Sequence, residues 1–203
     1  MKLDCAALNE GIERFKPLSE HSKLPQFDEL PNIELYMDQV IALVNRYLVF
    51  FNESDDDSVI THSMINNYVK LKVIPTPQKK RYNRIHLACL IMIGALKQTL
   101  SIATIEILLP NDCDEEKAAE IYNKFVASWE NSLSMATEMA QQQLELLAEQ
   151  GRYEDYFDLA TDMAVGSTIF KVFTDRLLMI HCSDDEKKQD KKQDKSKDKQ
   201  SKE

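Results

Sequence analysis

Residues 64–86 read MINNYVKLKVIPTPQKKRYNRIH. The stretch is a short apolar-polar helix pattern, two prolines, a Lys-Lys-Arg-Tyr run and the start of another helix. Thr61 is a favourable N-cap residue, so the spacing predicts a helix over 62–71 that ends before Pro75. Ser63, Asn66, Asn67 and Lys70 fall at i, i+3, i+4 and i+7 and share one face of it. Ile65, Tyr68, Val69 and Leu71 occupy the rest and anchor the helix to a core. Each proline disfavours helical geometry in itself and its predecessor, so 73–77 is extended. Gln78–Arg81 then forms the tip of a turn or small hairpin.

This stretch is basic inside an acidic chain. The 203 residues carry 25 Lys and Arg against 34 Asp and Glu, a formal net charge of −9. From Ser58 to Ile105 there are seven basic residues (Lys70, Lys72, Lys79, Lys80, Arg81, Arg84 and Lys97) and no acidic one. Residues 1–57 hold five basic and twelve acidic, and residues 106–182 five and fifteen. An acid-free window of this length reads as the electrostatic footprint of an anionic partner, the alternative being an apolar core segment with a few stray lysines. A short helix with an amide-bearing face fits the DNA major groove, where Asn makes paired hydrogen bonds to the adenine edge. A basic loop beside it holds the phosphate backbone without reading sequence. The duplex-contacting candidates are therefore His62, Ser63, Asn66, Asn67, Lys70, Lys79, Lys80, Arg81, Tyr82 and Arg84.

Outward from the stretch, the composition favours helix. Hydrophobic residues make up 43% and there are only 4 glycines. Residues 4–15 form a short amphipathic pattern, and the three prolines of 16–31 mark a linker. Ile33, Tyr36, Val40, Leu43 and Leu48 predict a helix over 32–51, followed by a polar loop at 52–58 that holds Asp55, Asp56 and Asp57. Residues 84–98 return to helix with Ile85, Cys89, Met92, Ile93 and Leu96 inward. Ser101 caps a further short helix that Pro110 stops. Residues 114–149 read as one helix of about 54 Å, with acidic residues in its first turn. Gly151 breaks it, and 152–182 make a second long helix. The last 21 residues contain no apolar side chain and are expected to lack order.

Other functions find little purchase. Cys5, Cys89, Cys113 and Cys182 form no CxxC pair, so neither a disulfide framework nor a zinc knuckle is expected, and no metal or cofactor. The run Leu87–Leu96 is about half the ~20 residues a membrane span needs. The N-terminus has no apolar core of signal-peptide length, so the chain reads as cytoplasmic. No Gly-rich phosphate loop, HExxH or GxSxG is present, and an enzyme is not expected.

The residues Tyr68-x-x-x-x-Val73-Ile74-Pro75, then Arg81-Tyr82, then Leu87 opening an apolar helix, resemble the winged helix-turn-helix of bacterial MerR-type regulators. The fuller pattern (LPNIELYMDQVIALV, MINNYVKLKVIPTP and KKRYNRIHLACLIMIGALKQTLSI) resembles the domain of unknown function family 1836, itself similar to the MerR fold. The likeness covers about residues 30–109. It implies that Ile65 and Tyr68 pack the recognition helix and that Arg81 and Tyr82 belong to the wing, with Tyr82 near phosphate. The chain departs from the MerR pattern with Asn66 and Asn67 in place of arginine and tyrosine, and Lys72 in place of glycine.

The resemblance also implies a homodimer formed through a long helix after the DNA-binding domain. Tyr122, Phe125, Trp129, Met139 and Leu147 of 114–149 are the candidates, since the bulk of Tyr122, Phe125, Trp129 and the many Met residues exceeds what one hairpin partner would bury. The alternative is that 114–182 is a helical hairpin covering its own core. The aromatics Tyr153, Tyr156, Phe157, Phe170 and Phe173 read as core, or as the lining of a pocket for a hydrophobic effector as in multidrug-sensing relatives. The expected architecture is all-α: an N-terminal helix and linker (1–29), a MerR-like winged helix-turn-helix (30–110), a helical dimerisation and effector region of coiled-coil character (111–182) and a charged tail (183–203). The function this implies is a dimeric, sequence-specific transcriptional regulator bound to double-stranded DNA. The acidic remainder of the chain and the triplet Asp55, Asp56 and Asp57 support an alternative, a helical protein-interaction adaptor that keeps the winged fold without binding DNA.

Overall fold

The apolar run Leu87–Leu96 forms the central helix around which the others assemble. The computed structural model describes residues 22–51, 58–110, 113–152 and 156–200, and divides the chain into two units, Met1–Thr161 and Asp162–Glu203. The expected helix at 4–15 and the acidic triplet at 55–57 lie outside the described residues. The helices are α1 (Met37–Tyr47), α2 (His62–Lys70), α3 (Arg84–Leu96), α4 (Ile102–Glu106), α5 (Glu115–Glu149) and α6 (Tyr156–Gln200). Among the described residues there is no strand, only two isolated bridges, Leu35 with Tyr82 and Gln78 with Arg81. The fold is all-α.

Helix α3 is buried all round from His86 to Ala95, so its sequence shows no polar face. Val40 and Val44 of α1, Ile65 and Tyr68 of α2, and Ala118, Tyr122 and Val126 of α5 complete the core. Gly94 lets α1 approach closely: a Cβ there would lie 2.2 Å from Leu48 Cδ1 and 3.3 Å from Val59 Cγ1.

The first helix is shorter than the apolar spacing over 32–51 indicates. Leu35 is in extended geometry, exchanging two 2.9 Å hydrogen bonds with Tyr82 across the chain. Ile33 and Tyr36 accordingly sit 65% and 53% exposed outside the helix. The segment expected to be a linker is part of the core over its described residues. Leu24, Phe27 and Leu30 are buried, Phe27 N–H donates to Asn123 Oδ1 at 2.8 Å, and Trp129 Nε1–H donates to the Ser22 carbonyl at 2.8 Å.

These contacts change the reading of α5. Tyr122 is fully buried, edge-on to Phe27 with ring centroids 6.1 Å apart. Phe125 packs against the same core, and the Trp129 ring lies 5.6 Å from both Phe50 and Phe51. These three aromatics, expected to bury a second subunit, pack within the chain: Tyr122 on Phe27, Phe125 on Tyr122, and Trp129 on Phe50 and Phe51 with its N–H on Ser22. Met139 remains 47% exposed and Leu147 half-buried.

In the second unit the backbone stays helical to Gln200, across most of the segment expected to lack order. Lys, Gln, Glu and i,i+4 opposite charges are favourable in an isolated helix. Phe157, Phe170 and Phe173, read as core or pocket lining, are 68%, 75% and 61% exposed. Among the described residues, no helix is long and apolar enough to cross a membrane.

Candidate nucleic-acid interface

Helix α2 starts where its cap residue puts it. Thr61 Oγ1 accepts from the Met64 backbone N–H, and Asn45 secures the approach by accepting from Ile60 N–H at 2.9 Å and donating to Ile60 O at 3.0 Å. With Ile65 and Tyr68 buried, Ser63, Asn66, Asn67 and Lys70 are all exposed. Leu71, expected to anchor, is instead 56% exposed because the helix has ended. Its end is a Schellman motif: Val73 N–H donates to Tyr68 O at 2.9 Å and Lys72 N–H to Val69 O at 3.1 Å. Lys72 takes the left-handed position with φ 59°, the place where glycine is usual.

The basic turn is equally defined. Arg81 N–H donates to Gln78 O at 2.8 Å, and Lys79 and Lys80 have φ 49° and 63°. Two consecutive positive φ values at the centre of a two-residue hairpin define a type I′ turn, normally filled by Asn-Gly. Both lysines are exposed, and the Arg81 guanidinium lies 3.6 Å over the Tyr36 ring. A cleft of about 450 Å³ joins turn and helix, lined by Asn66 and Val69 from α2, Pro77 and Lys80 from the turn, and Tyr36, Met37 and Asp38 from the start of α1, with Tyr82 at its floor.

Three of the expected contact residues have other work. Tyr82 is only 2% exposed, with its ring edge-on to His86 at 5.3 Å, so it packs the turn onto α3. Arg84 donates from Nε to Leu30 O at 3.0 Å, reaches Glu115 at 3.5 Å and stacks 5.5 Å over Phe27. It ties the N-terminal segment to α3 and α5. His62 Nε2 lies 2.5 Å from Asp38 Oδ1, at the exposed rim of the cleft. Lys97, also in the acid-free window, is turned inward. It donates to Val59 O, and burial lowers its pKa.

Sequence reasoning missed His86 and Asn45 as organisers of this surface. His86 is buried; its Nε2 bonds Pro75 O at 3.2 Å and its Nδ1 accepts from Asn83 N–H at 3.1 Å. One imidazole thus joins the proline segment to the cap of α3. Burial lowers its pKa, with the bond to the Pro75 carbonyl acting in the opposite direction. The proline-rich approach and a histidine in the first turn of α3 were the available signals. Among the described residues, no group of three His, Cys, Asp or Glu stands close enough to hold a metal ion.

The fold and this surface define a small helical domain with an exposed polar helix face beside a basic turn. Residues 25–125 match the family model described as domain of unknown function DUF1836. No curated protein and no solved structure matches the chain.

Proposed function

We propose that the chain is a cytoplasmic DNA-binding transcriptional regulator, non-catalytic and dimeric, whose residues 25–125 act as a MerR-like winged helix-turn-helix. In this reading α2 is the recognition helix and enters the major groove with Ser63, Asn66, Asn67 and Lys70. The turn at 78–81 is the wing, with Lys79, Lys80 and Arg81 on the phosphates. The observation that carries the reading is the cleft that Asn66 and Lys80 line together, which sets a base-reading amide beside a phosphate-holding cation. A second support is the strained backbone at Lys79 and Lys80: cations at positions that favour Asn-Gly are explained by a charge requirement.

Selection of bound fragments from random duplexes, followed by titration against salt, tests the proposal. Each lost phosphate contact lowers the slope of log K against log salt by about 0.9, so Lys79→Gln with Lys80→Gln should flatten it by about 2. Asn66→Ala should cost about 1–3 kcal/mol on the selected sequence and little on random duplex. Unchanged retention in both variants rejects the proposal.

The adaptor reading keeps one specific support, the Asp38 carboxylate in the cleft, which suits a basic partner better than a polyanion. Asp38→Asn separates the two: duplex affinity should rise if DNA is the partner, whereas a basic protein ligand would bind less tightly.

A further inference from the structure

Helix α6 between Asp162 and Ile180 carries more exposed apolar surface than a monomer tolerates. Val165, Ile169, Phe170, Val172, Phe173, Leu177, Met179 and Ile180 are each 41% to 75% exposed. At on the order of 100 Å² apiece they present about 800 Å² per chain, the amount one partner contributes to a standard interface. Soluble monomers rarely expose a continuous apolar patch beyond a few hundred Å².

The pattern of the patch names its occupant. Met163, Gly166, Phe170, Phe173, Leu177 and Ile180 step by three, four, three, four and three, the a/d spacing of a coiled-coil seam. Val165, Ile169, Val172 and Met179 form a second row beside it. Such a seam is complementary to a copy of itself, which a symmetric pair of chains supplies. Charge agrees with this. Residues 162–180 hold two acids (Asp162, Asp175) and two bases (Lys171, Arg176), so two copies meet without the repulsion expected of a chain at −9. Five polar side chains of this segment are satisfied within the helix: Ser167 and Thr168 donate to Ala164 O, Thr174 to Phe170 O, and Lys171 pairs with Asp175 at 2.8 Å.

We infer that a second copy of this chain docks along the Met163–Ile180 seam of α6. The pairing supplies the dimer that the proposed regulator uses, and thereby moves the interface from the α5 aromatics to α6. It rests on the proposed function only for its purpose, because its test involves no DNA and either idea can fail alone.

Sedimentation velocity on the full chain over a dilution series is the experiment. The unaltered chain should sediment as a dimer, and Phe170→Glu with Leu177→Glu should sediment as a monomer. Both residues are exposed, so the Trp129 emission and melting of the first unit should be retained in that variant. Lys171→Glu, off the seam, should leave the dimer intact. A monomeric unaltered chain, whatever other protein it captures, overturns the inference. So does a dimer that survives Phe170→Glu with Leu177→Glu.

Discussion

Lys79 and Lys80 place two L side chains where the backbone is left-handed, at about 1–2 kcal/mol each relative to a relaxed geometry. Replacing them by Asn and Gly fits the type I′ turn and should raise stability to urea by about 1–2 kcal/mol while weakening duplex binding. A variant that is more stable and binds unchanged would remove the reason for keeping the lysines. Lys72 isolates the backbone effect, since it caps α2 outside the cleft. Lys72→Gly should stabilise by about 1 kcal/mol, read as a shift in urea midpoint at constant slope.

Cys89 gives the residue scale its pH dependence. Burial pushes its thiol up to about 12 from an ordinary value of 9.0. The folded pKa exceeds the unfolded one, so between these values the unfolded chain loses a proton that the folded chain keeps. The contribution is complete below pH 9.0 and disappears as pH rises toward about 12. Stability measured by denaturant titration should fall across that window, and Cys89→Ala, though less stable throughout for the cavity it leaves, should fall less steeply.

At the scale of elements, the Asn45 amide holds the approach to α2 and the His86 imidazole holds the proline segment that leads to the turn. Asn45 satisfies both backbone groups of buried Ile60, so Asn45→Leu leaves an N–H and a carbonyl without partners. It should cost about 2–4 kcal/mol in thermal or urea unfolding, beyond the loss of an average surface hydrogen bond. The periodic elements were legible in the sequence for a simple reason. Helix α2 has its cap, amphipathic face and stop signal between Thr61 and Pro75, and α5 has acidic first-turn residues and a glycine after its end. What stayed hidden depends on partners far along the chain. The start of α1 is set by Leu35 bonding to Tyr82, and no local pattern announces that bridge. Tyr122 and Trp129 read as residues of a subunit interface because Phe27 and Ser22, which they contact, lie in a segment that reads locally as a proline-rich linker. In the candidate interface, the residues on the α2 face were readable from spacing alone. Tyr82 and Arg84 were not, since a basic run does not say which of its members turns inward.

At the scale of the whole molecule, charge and apolar surface are separated along the chain. The acid-free window lies in the first unit, and the exposed apolar seam lies in the second. The main core cluster of the first unit draws on no residue beyond Trp129, and Ala140 and Leu144, buried further along α5, lie in the same unit, so that core does not depend on the seam. Removing residues 162–203 should therefore leave its melting and the Trp129 emission unchanged. Duplex binding should respond differently. In the proposed regulator two linked copies would engage two half-sites, the second contact being made at the high effective concentration that linkage supplies, which should raise affinity by about 10²–10⁴ over one copy. Each copy contributes its own phosphate contacts, so the truncated chain should show about half the salt slope of the full one, as well as weaker binding. Fluorescence anisotropy on a selected duplex at several salt concentrations measures both quantities together. A truncated chain with the full slope would mean that one copy occupies the whole site, and the pairing along α6 would then serve something other than DNA recognition.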